Sequence, residues 1–476
     1  VTVSVPGNTR RDASGSRTQT AVARFARDRL DRVGMLLTLL IAYAAFCQPF
    51  VLFRANRITA GKEVSLLALT SAWPPAFSDH AAAAISADPG GNLFQVPQAP
   101  PPLPVITWHG ATILTAVLLA VCLLFVCLRS GAWLRAAVGG LLLLAVLVAL
   151  GEAPALLVSP TQTFARVSPG SGAWTLVFAF SILVTDALAK HSLLPWQRLA
   201  VLAGVLTVLA FLFHAGTWAR LSVMQEYAAR ATTFWHEARH HLSIVGGAVG
   251  AALVVGMPLG IACTRITALR ILMLPLLNIV QTIPSMALFG LLMAPLGWLA
   301  LHSPAMAALG VRGIGMAPAI LALFLYSLLP LTASVVTGIG EVPETLIEAA
   351  NGMGMTRRQR LRMIEFPFAL PVLLSGIRIV LVQNIGLAAV GALIGGGGFG
   401  TFIFQGLGQS ATDLVLLGAM PTLALALLAS ILFSAFADMS RIDGDLTTGS
   451  RRSSDNRIDR AAAASSSQDD AAATPY

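Results

Sequence analysis

Charge is scarce in this sequence and lysine almost missing. Asp, Glu, Lys and Arg make up 11% of the 476 residues, while hydrophobic residues make up 56%. Soluble domains carry about 25% charge. A chain this long cannot cover a globule with so few charges, so most of its apolar surface must face membrane lipid. That excludes a cytosolic enzyme, a disordered protein and a nucleic-acid-binding domain, and no nucleic-acid partner is expected. The only lysines are Lys62 and Lys190. A phosphate-cradling P-loop requires GxxxxGK[ST]. Lys62 follows Gly61 but precedes Glu63, position 56 is Asn, and Lys190 follows Ala189. The chain therefore has no Walker A site, and no cofactor is expected in it. The four cysteines, Cys47, Cys122, Cys127 and Cys263, fall in or at the ends of apolar runs without CxxC or metal-type spacing. They read as small core hydrophobes.

What is present is a series of apolar runs of spanning length. They lie near 33–53, 106–128, 136–158, 173–189, 199–216, 242–263, 271–293, 314–338, 368–390 and 414–436. Continuously apolar runs fit helices rather than barrel strands. The expectation is an all-α membrane protein of about ten transmembrane helices, with 33–53 as an uncleaved start-transfer helix. Segments 1–32, 340–366 and 437–476 together hold 30 of the 53 charged residues. Basic residues mark cytoplasmic segments, so these three segments, and both termini, are expected in the cytoplasm.

Four parts follow. Residues 1–32 are a basic cytoplasmic tail. Residues 33–216 hold extra helices with a Pro-rich external loop at 54–105, where extended and turn structure is expected rather than a packed domain. Residues 217–440 form a second helical region containing the loop 340–366. Residues 441–476, rich in Ser, Asp, Arg and Ala, read as a disordered cytoplasmic tail.

The loop 340–366 has the grammar of two short helices. Pro343 suits a first helical position, with Glu344 favourable near the positive end. Leu346, Ile347 and Ala350 make a small apolar face. Gly352 or Gly354 can end the helix in a left-handed conformation. Thr356 and Gln359 match a capping box for a second helix, which Pro367 is expected to stop. Within it, Glu348-Ala349-Ala350 is followed by Gly354, Ile364 and Phe366-Pro367. This resembles the EAA motif of binding-protein-dependent ABC importer permeases, with Phe366 in place of Leu. The resemblance implies a C-terminal five-helix type I importer core. It implies that Glu348, Ala349, Ala350, Gly354, Ile364 and Pro367 form a coupling segment docking on a cytoplasmic ATPase subunit. ATP and magnesium would then belong to that subunit. A second permease subunit, as homo- or heterodimer, and an extracytoplasmic substrate-binding protein are the other implied partners.

Further segments are similar to permeases for glycine betaine, choline and carnitine. They are His241-Leu242, Gly256 to Gly260, Asn278 to Ala287, Pro318 to Ile320, Leu329-Pro330, Ser375 to Arg378 and Ala392 to Gly400. The chain departs from many of these at Ala333-Ser334, where they have Arg-Asn. The similarity implies a bacterial inner-membrane importer of an osmoprotectant. An amino acid or a sulfonate is the alternative cargo.

Outside the loop, residues 271–339 and 367–436 contain only Arg312, Arg378 and Asp413 as charged residues. A path with so little fixed charge suits a zwitterion or a substrate whose charge is partly shielded. Polar residues at membrane depth, Asn278, Gln281, Thr282, Ser285, Gln383 and Asn384, are candidates to line it. Interhelical hydrogen bonding is the competing role for each. His236-Glu237-Ala-Arg-His240 matches the HExxH pattern of zinc proteases. It stands just before a span with no third ligand at a characteristic spacing, so a metalloprotease is the remote alternative and no catalytic or metal set is assigned.

Overall fold

The computed structural model describes residues 32–55, 61–71, 131–158, 164–191, 193–308 and 310–441. The N-terminal tail, most of the Pro-rich loop, the run 106–128 and the C-terminal tail lie outside the described residues. Eight described helices are long and apolar enough to cross a membrane, and two shorter apolar helices accompany them. The chain forms two compact units, the first taking in the residues up to Leu194 with Gly204–Ala231 and Ala411–Leu414, the second Pro195–Ala203, Thr232–Ser410 and the residues from Val415 on.

The first unit begins with α1 (Arg32–Cys47). Its buried residues Leu37, Ile41 and Ala44 follow helical spacing, while Leu36, Leu39 and Tyr43 point outward. An apolar helix with an apolar exposed side is suited to lipid. The expected span 33–53 stops at Cys47, because Gln48-Pro49 ends the helix and Pro49–Arg54 becomes a strand, β1. β2 (Lys62–Ser65) and β3 (Arg166–Pro169) flank β1, both antiparallel, giving the order β2-β1-β3. The short α2 (Leu66–Ser71) follows β2. Val51, Val64 and Val167 face the core with Phe50. The sheet adds three short strands to a mostly helical chain, and inside the expected loop 54–105 residues Lys62–Ser65 and Leu66–Ser71 form β2 and α2. Alternation over four to six residues was hidden beside long apolar runs. The unit continues through α3 (Ala132–Leu157), α4 (Ser171–Ala189), most of α5 (Pro195–His214) and α6 (Ser222–Ala229). A buried stripe on α4, including Leu176, Phe180 and Leu183, packs in the same core.

The second unit is built on α7 (Ala231–Arg265), α8 (Thr267–Thr282), α9 (Ser285–His302), the short α10 (Pro304–Ala308) and α11 (Met316–Gly340). The loop helices α12 (Glu344–Gly352) and α13 (Arg357–Arg360) come next. Then follow α14 (Phe366–Val390), α15 (Gly400–Gly408) and α16 (Thr412–Met439). The 35 residues of α7 correspond to about 52 Å at 1.5 Å each, far more than the ~30 Å hydrocarbon layer. An upright helix of this length therefore extends beyond the layer. The expected span 271–293 is two helices, since Pro284 forces Ile283 out of the helical region to ψ 127°. Ile244, Ala248, Ala252, Leu323, Tyr326, Val380 and Ala388 share one core among α7, α11 and α14.

Candidate coupling segment and polar path

α12 starts after Pro343, which occupies the cap rather than the first helical position, with Glu344 in the first turn. Ala350 is fully buried and Ile347 half-buried, while Leu346, Glu348, Ala349 and Met353 are exposed. The small apolar face is thus divided: Ile347 and Ala350 hold the helix to its own chain, and Leu346 and Met353 are left outside. The helix runs to Gly352 with Met353 as its cap, and of the two glycines it is Gly354, just beyond, that takes the left-handed conformation at φ +75°. The Gly354 amide donates to the Asn351 carbonyl at 3.0 Å and the Met355 amide to that of Ala350 at 3.1 Å. This is the left-handed closure that glycine tolerates best.

The capping box forms as its sequence implies: the Gln359 amide donates to Thr356 Oγ1 at 3.3 Å, and the Thr356 amide to Gln359 Oε1 at 2.8 Å. Pro367 does not interrupt the chain's helical course, contrary to expectation. α13 passes through a π turn, Leu361–Glu365, directly into α14, where Pro367 occupies the first turn. The wider turn removes the register in which the proline ring would meet the carbonyl four residues back. Ile364 is half-buried, and Leu361 packs against Val335, Ile339, Ala369 and Leu373.

Glu365, to which the sequence drew no attention, is fully buried. It pairs with Arg360 Nε at 2.8 Å and with Arg265 Nη2. Arg265 is the last residue of α7. A lone acid in a run of arginines was the available signal.

The six polar candidates fall into two groups. Asn278, Gln281, Thr282 and Ser285 surround the α8–α9 break, and Gln383 and Asn384 lie on α14. Asn278 and Thr282 are exposed; Ser285 and Gln383 are half-buried. Thr282 Oγ1 donates to the Ile279 carbonyl at 2.7 Å. Gln281 Nε2 donates to the Tyr326 carbonyl at 2.8 Å, and the Tyr326 hydroxyl donates to the Ile283 carbonyl at 2.5 Å. These bonds fasten the break to α11. Asn384 is fully buried and its Nδ2 donates to Ser327 Oγ at 2.8 Å. Its Oδ1 has no protein partner. Tyr326 and Ser327 are neighbours, so α11 stands between the two groups.

At the end of α7 opposite Arg265, Glu237 Oε2 accepts the Gly398 amide at 2.5 Å and the Thr401 hydroxyl at 3.3 Å. The rings of His236 and His240 lie 4.4 Å apart on the same helix. Glu237 is turned into the glycine loop, where Gly395, Gly397 and Gly398 all have positive φ. The HExxH pattern thus places its glutamate in a structural clasp, which is not the disposition of a free general base.

A helical bundle of this kind, with an ordered EAA segment between two spans, is a permease of an ABC importer, a multi-pass membrane transport component rather than an enzyme. Residues 256–440 match the family described as binding-protein-dependent transport system inner membrane component. The chain belongs to that family. Residues 29–87 and 99–224 match a second description, ABC transporter permease YehY, N-terminal domain.

Among curated relatives, an osmoprotectant import permease protein, OsmW, of Salmonella typhimurium is 43% identical over 187 residues, covering 39% of this chain and 82% of the relative. The carnitine transport permease protein OpuCD of Listeria monocytogenes is 39% identical, covering 42% and 81%. The glycine betaine/carnitine/choline transport system permease protein OpuCD of Bacillus subtilis is 36% identical, covering 45% and 89%.

Proposed function

We propose that the chain carries a quaternary-ammonium osmoprotectant, such as glycine betaine, choline or carnitine, across a bacterial inner membrane. The transport functions of the relatives support this cargo, and the scarcity of charge in residues 271–339 and 367–436 suits a zwitterion or a substrate whose charge is partly shielded. Both termini lie in the cytoplasm in this reading, with the arginine-rich segment 340–366 on the same side.

The observation that carries the mechanism is the ordered coupling segment. Glu348 and Ala349 are exposed on α12, and Ala350, Gly354, Ile364 and Pro367 set its shape. Cytoplasmic ATPase subunits, holding ATP and magnesium, dock on that surface. Two permease subunits pair around a path. Asn278 and Thr282, exposed beside the α8–α9 break, are its first candidates, with Ser285 and Gln383 next. Gln281 and Asn384 are engaged by α11 and are assigned to supporting it. Closure of the ATPases moves the α12 segments and switches the path between its two openings. A substrate-binding protein delivers cargo to the outer opening.

Reconstitution with the partner ATPase and binding protein in proteoliposomes tests both levels. ATP-dependent accumulation of radiolabelled betaine, choline or carnitine is expected. Accumulation of an amino acid or sulfonate instead overturns the cargo. Failure of the chain to hold any ATPase subunit overturns the docking role.

A further inference from the structure

The coupling segment reaches α7 by a specific route. It is continuous with α11 on one side, through Glu341–Pro343, and with α14 on the other, through the π turn. α7 ends a hundred residues before Glu365, at Arg265, and two side-chain contacts join it to the segment. One contact is apolar: Leu361 lies with Met257 and Ile261 of α7 against the same small cluster. Apolar contacts are non-directional and let surfaces slide. The other is Glu365.

Four residues form a line of charge-assisted bonds. Arg360 Nη1 donates to Asn351 Oδ1 at the end of α12, at 2.9 Å. Arg360 Nε donates to Glu365 Oε1 at 2.8 Å. Glu365 Oε2 receives Arg265 Nη2 at the end of α7. Glu365 is fully buried, its two oxygens held by arginines from different elements. Guanidinium–carboxylate bonds are strong and fixed in direction. Removing one partner of such a carboxylate leaves an uncompensated buried charge. The joint therefore holds its geometry while the loop is displaced. The alternative place for the displacement to go is the Met353–Thr356 turn, where α12 meets α13 around Gly354.

We propose that Glu365 is a positioning residue of the transport cycle, which makes α7 follow the ATPase-facing segment by clasping Arg265 to the coupling loop. The proposal rests on the docking role given to that segment.

The test uses the complete importer in proteoliposomes, with Arg265→Gln, Arg265→Lys and Glu365→Gln variants. Each is scored for ATPase co-purification, ATP hydrolysis and transport per ATP hydrolysed. Arg265→Gln and Glu365→Gln should keep the ATPase and hydrolyse ATP, while transport per ATP falls about tenfold. Arg265→Lys, which retains a charge for Glu365, should restore most of the ratio. An unchanged ratio in Arg265→Gln overturns the proposal, as does a parallel fall of transport and hydrolysis. Should Glu365→Gln fail to accumulate in the membrane, Arg265→Gln decides, since Arg265 is 36% exposed and Glu365 keeps Arg360 as a charged partner. A wild-type chain that captures no ATPase is a different result, and it removes the docking role itself.

Discussion

The carboxylate of Glu237 and the amide of Gly398, 161 residues apart in the chain, are bonded at 2.5 Å. The contact closes the glycine loop onto the first turns of α7. Three glycines of that loop, Gly395, Gly397 and Gly398, adopt positive φ, a conformation other residues resist. Hydrogen bonds to a charged group contribute about 1.5–3 kcal/mol. Glu237→Ala should therefore lower the melting temperature of the purified chain in detergent, and Glu237→Gln, which keeps an acceptor, should lower it less. Equal melting temperatures for wild type and Glu237→Ala would remove the clasp. Elemental analysis should find no stoichiometric zinc, since among the described residues no third His, Cys, Asp or Glu joins His236 and His240 in a metal-holding group.

Gly354 separates two causes that a sequence pattern cannot. A Cβ there would meet nothing within 4 Å, so bulk is not what the site forbids. The left-handed φ of +75° is the constraint, at about 1–2 kcal/mol for an ordinary residue. Gly354→Asn should be tolerated better than Gly354→Ala, although asparagine is larger, and Gly354→Val should be worst. ATPase co-purification across the three measures this order. A ranking by size instead would mean that the ATPase surface, not the backbone, requires glycine.

Asn384 and Ser327 report on how much of the membrane polarity is structural. Ser327→Ala leaves Asn384 Nδ2 without its partner in a buried site, a loss of about 1–3 kcal/mol. Transport per folded molecule should stay near wild type while thermal stability falls. Gln383→Ala, on the neighbouring half-buried position, should act in the opposite way, weakening uptake with little effect on stability. A stability loss at Gln383 matching that of Ser327→Ala would take residue 383 out of the path.

The sequence made the spans legible because each is a long local signal: α3, α4, α11, α14 and α16 lie within a few residues of their apolar runs. The capping box at Thr356 and Gln359 was legible for the same reason, both halves being three residues apart. Contacts between distant residues were not. Glu365 reads as one acid in a basic loop until Arg265 is brought beside it, and Glu237 reads as a zinc-protease base until Gly398 is. The sheet was missed because three strands of four to six residues leave too short an alternation to stand out against neighbouring apolar runs. The α8–α9 break carried its signal in Pro284, which a hydropathy count averages away.

The outward side of α12 and its C-cap carries two large apolar residues, Leu346 at 41% exposure and the cap residue Met353 at 69%, beside the exposed Glu348. Seven residues separate them, two helical turns, so they share a face. Ile347 and Ala350 already secure the helix from its inner side, and the outer pair adds little to folding. Exposed apolar side chains grouped with a charge suit a protein surface. Leu346→Ser and Met353→Ser should leave melting temperature and membrane accumulation unchanged while each weakens ATPase binding several-fold, about 1 kcal/mol per truncated contact. Glu348→Gln should act mainly on the salt dependence of that binding, because an exposed charge contributes through a screened interaction. Titrating detergent-purified variants with the ATPase at two ionic strengths separates the two contributions. If the serine variants bind as wild type does, α12 docks through its charge alone.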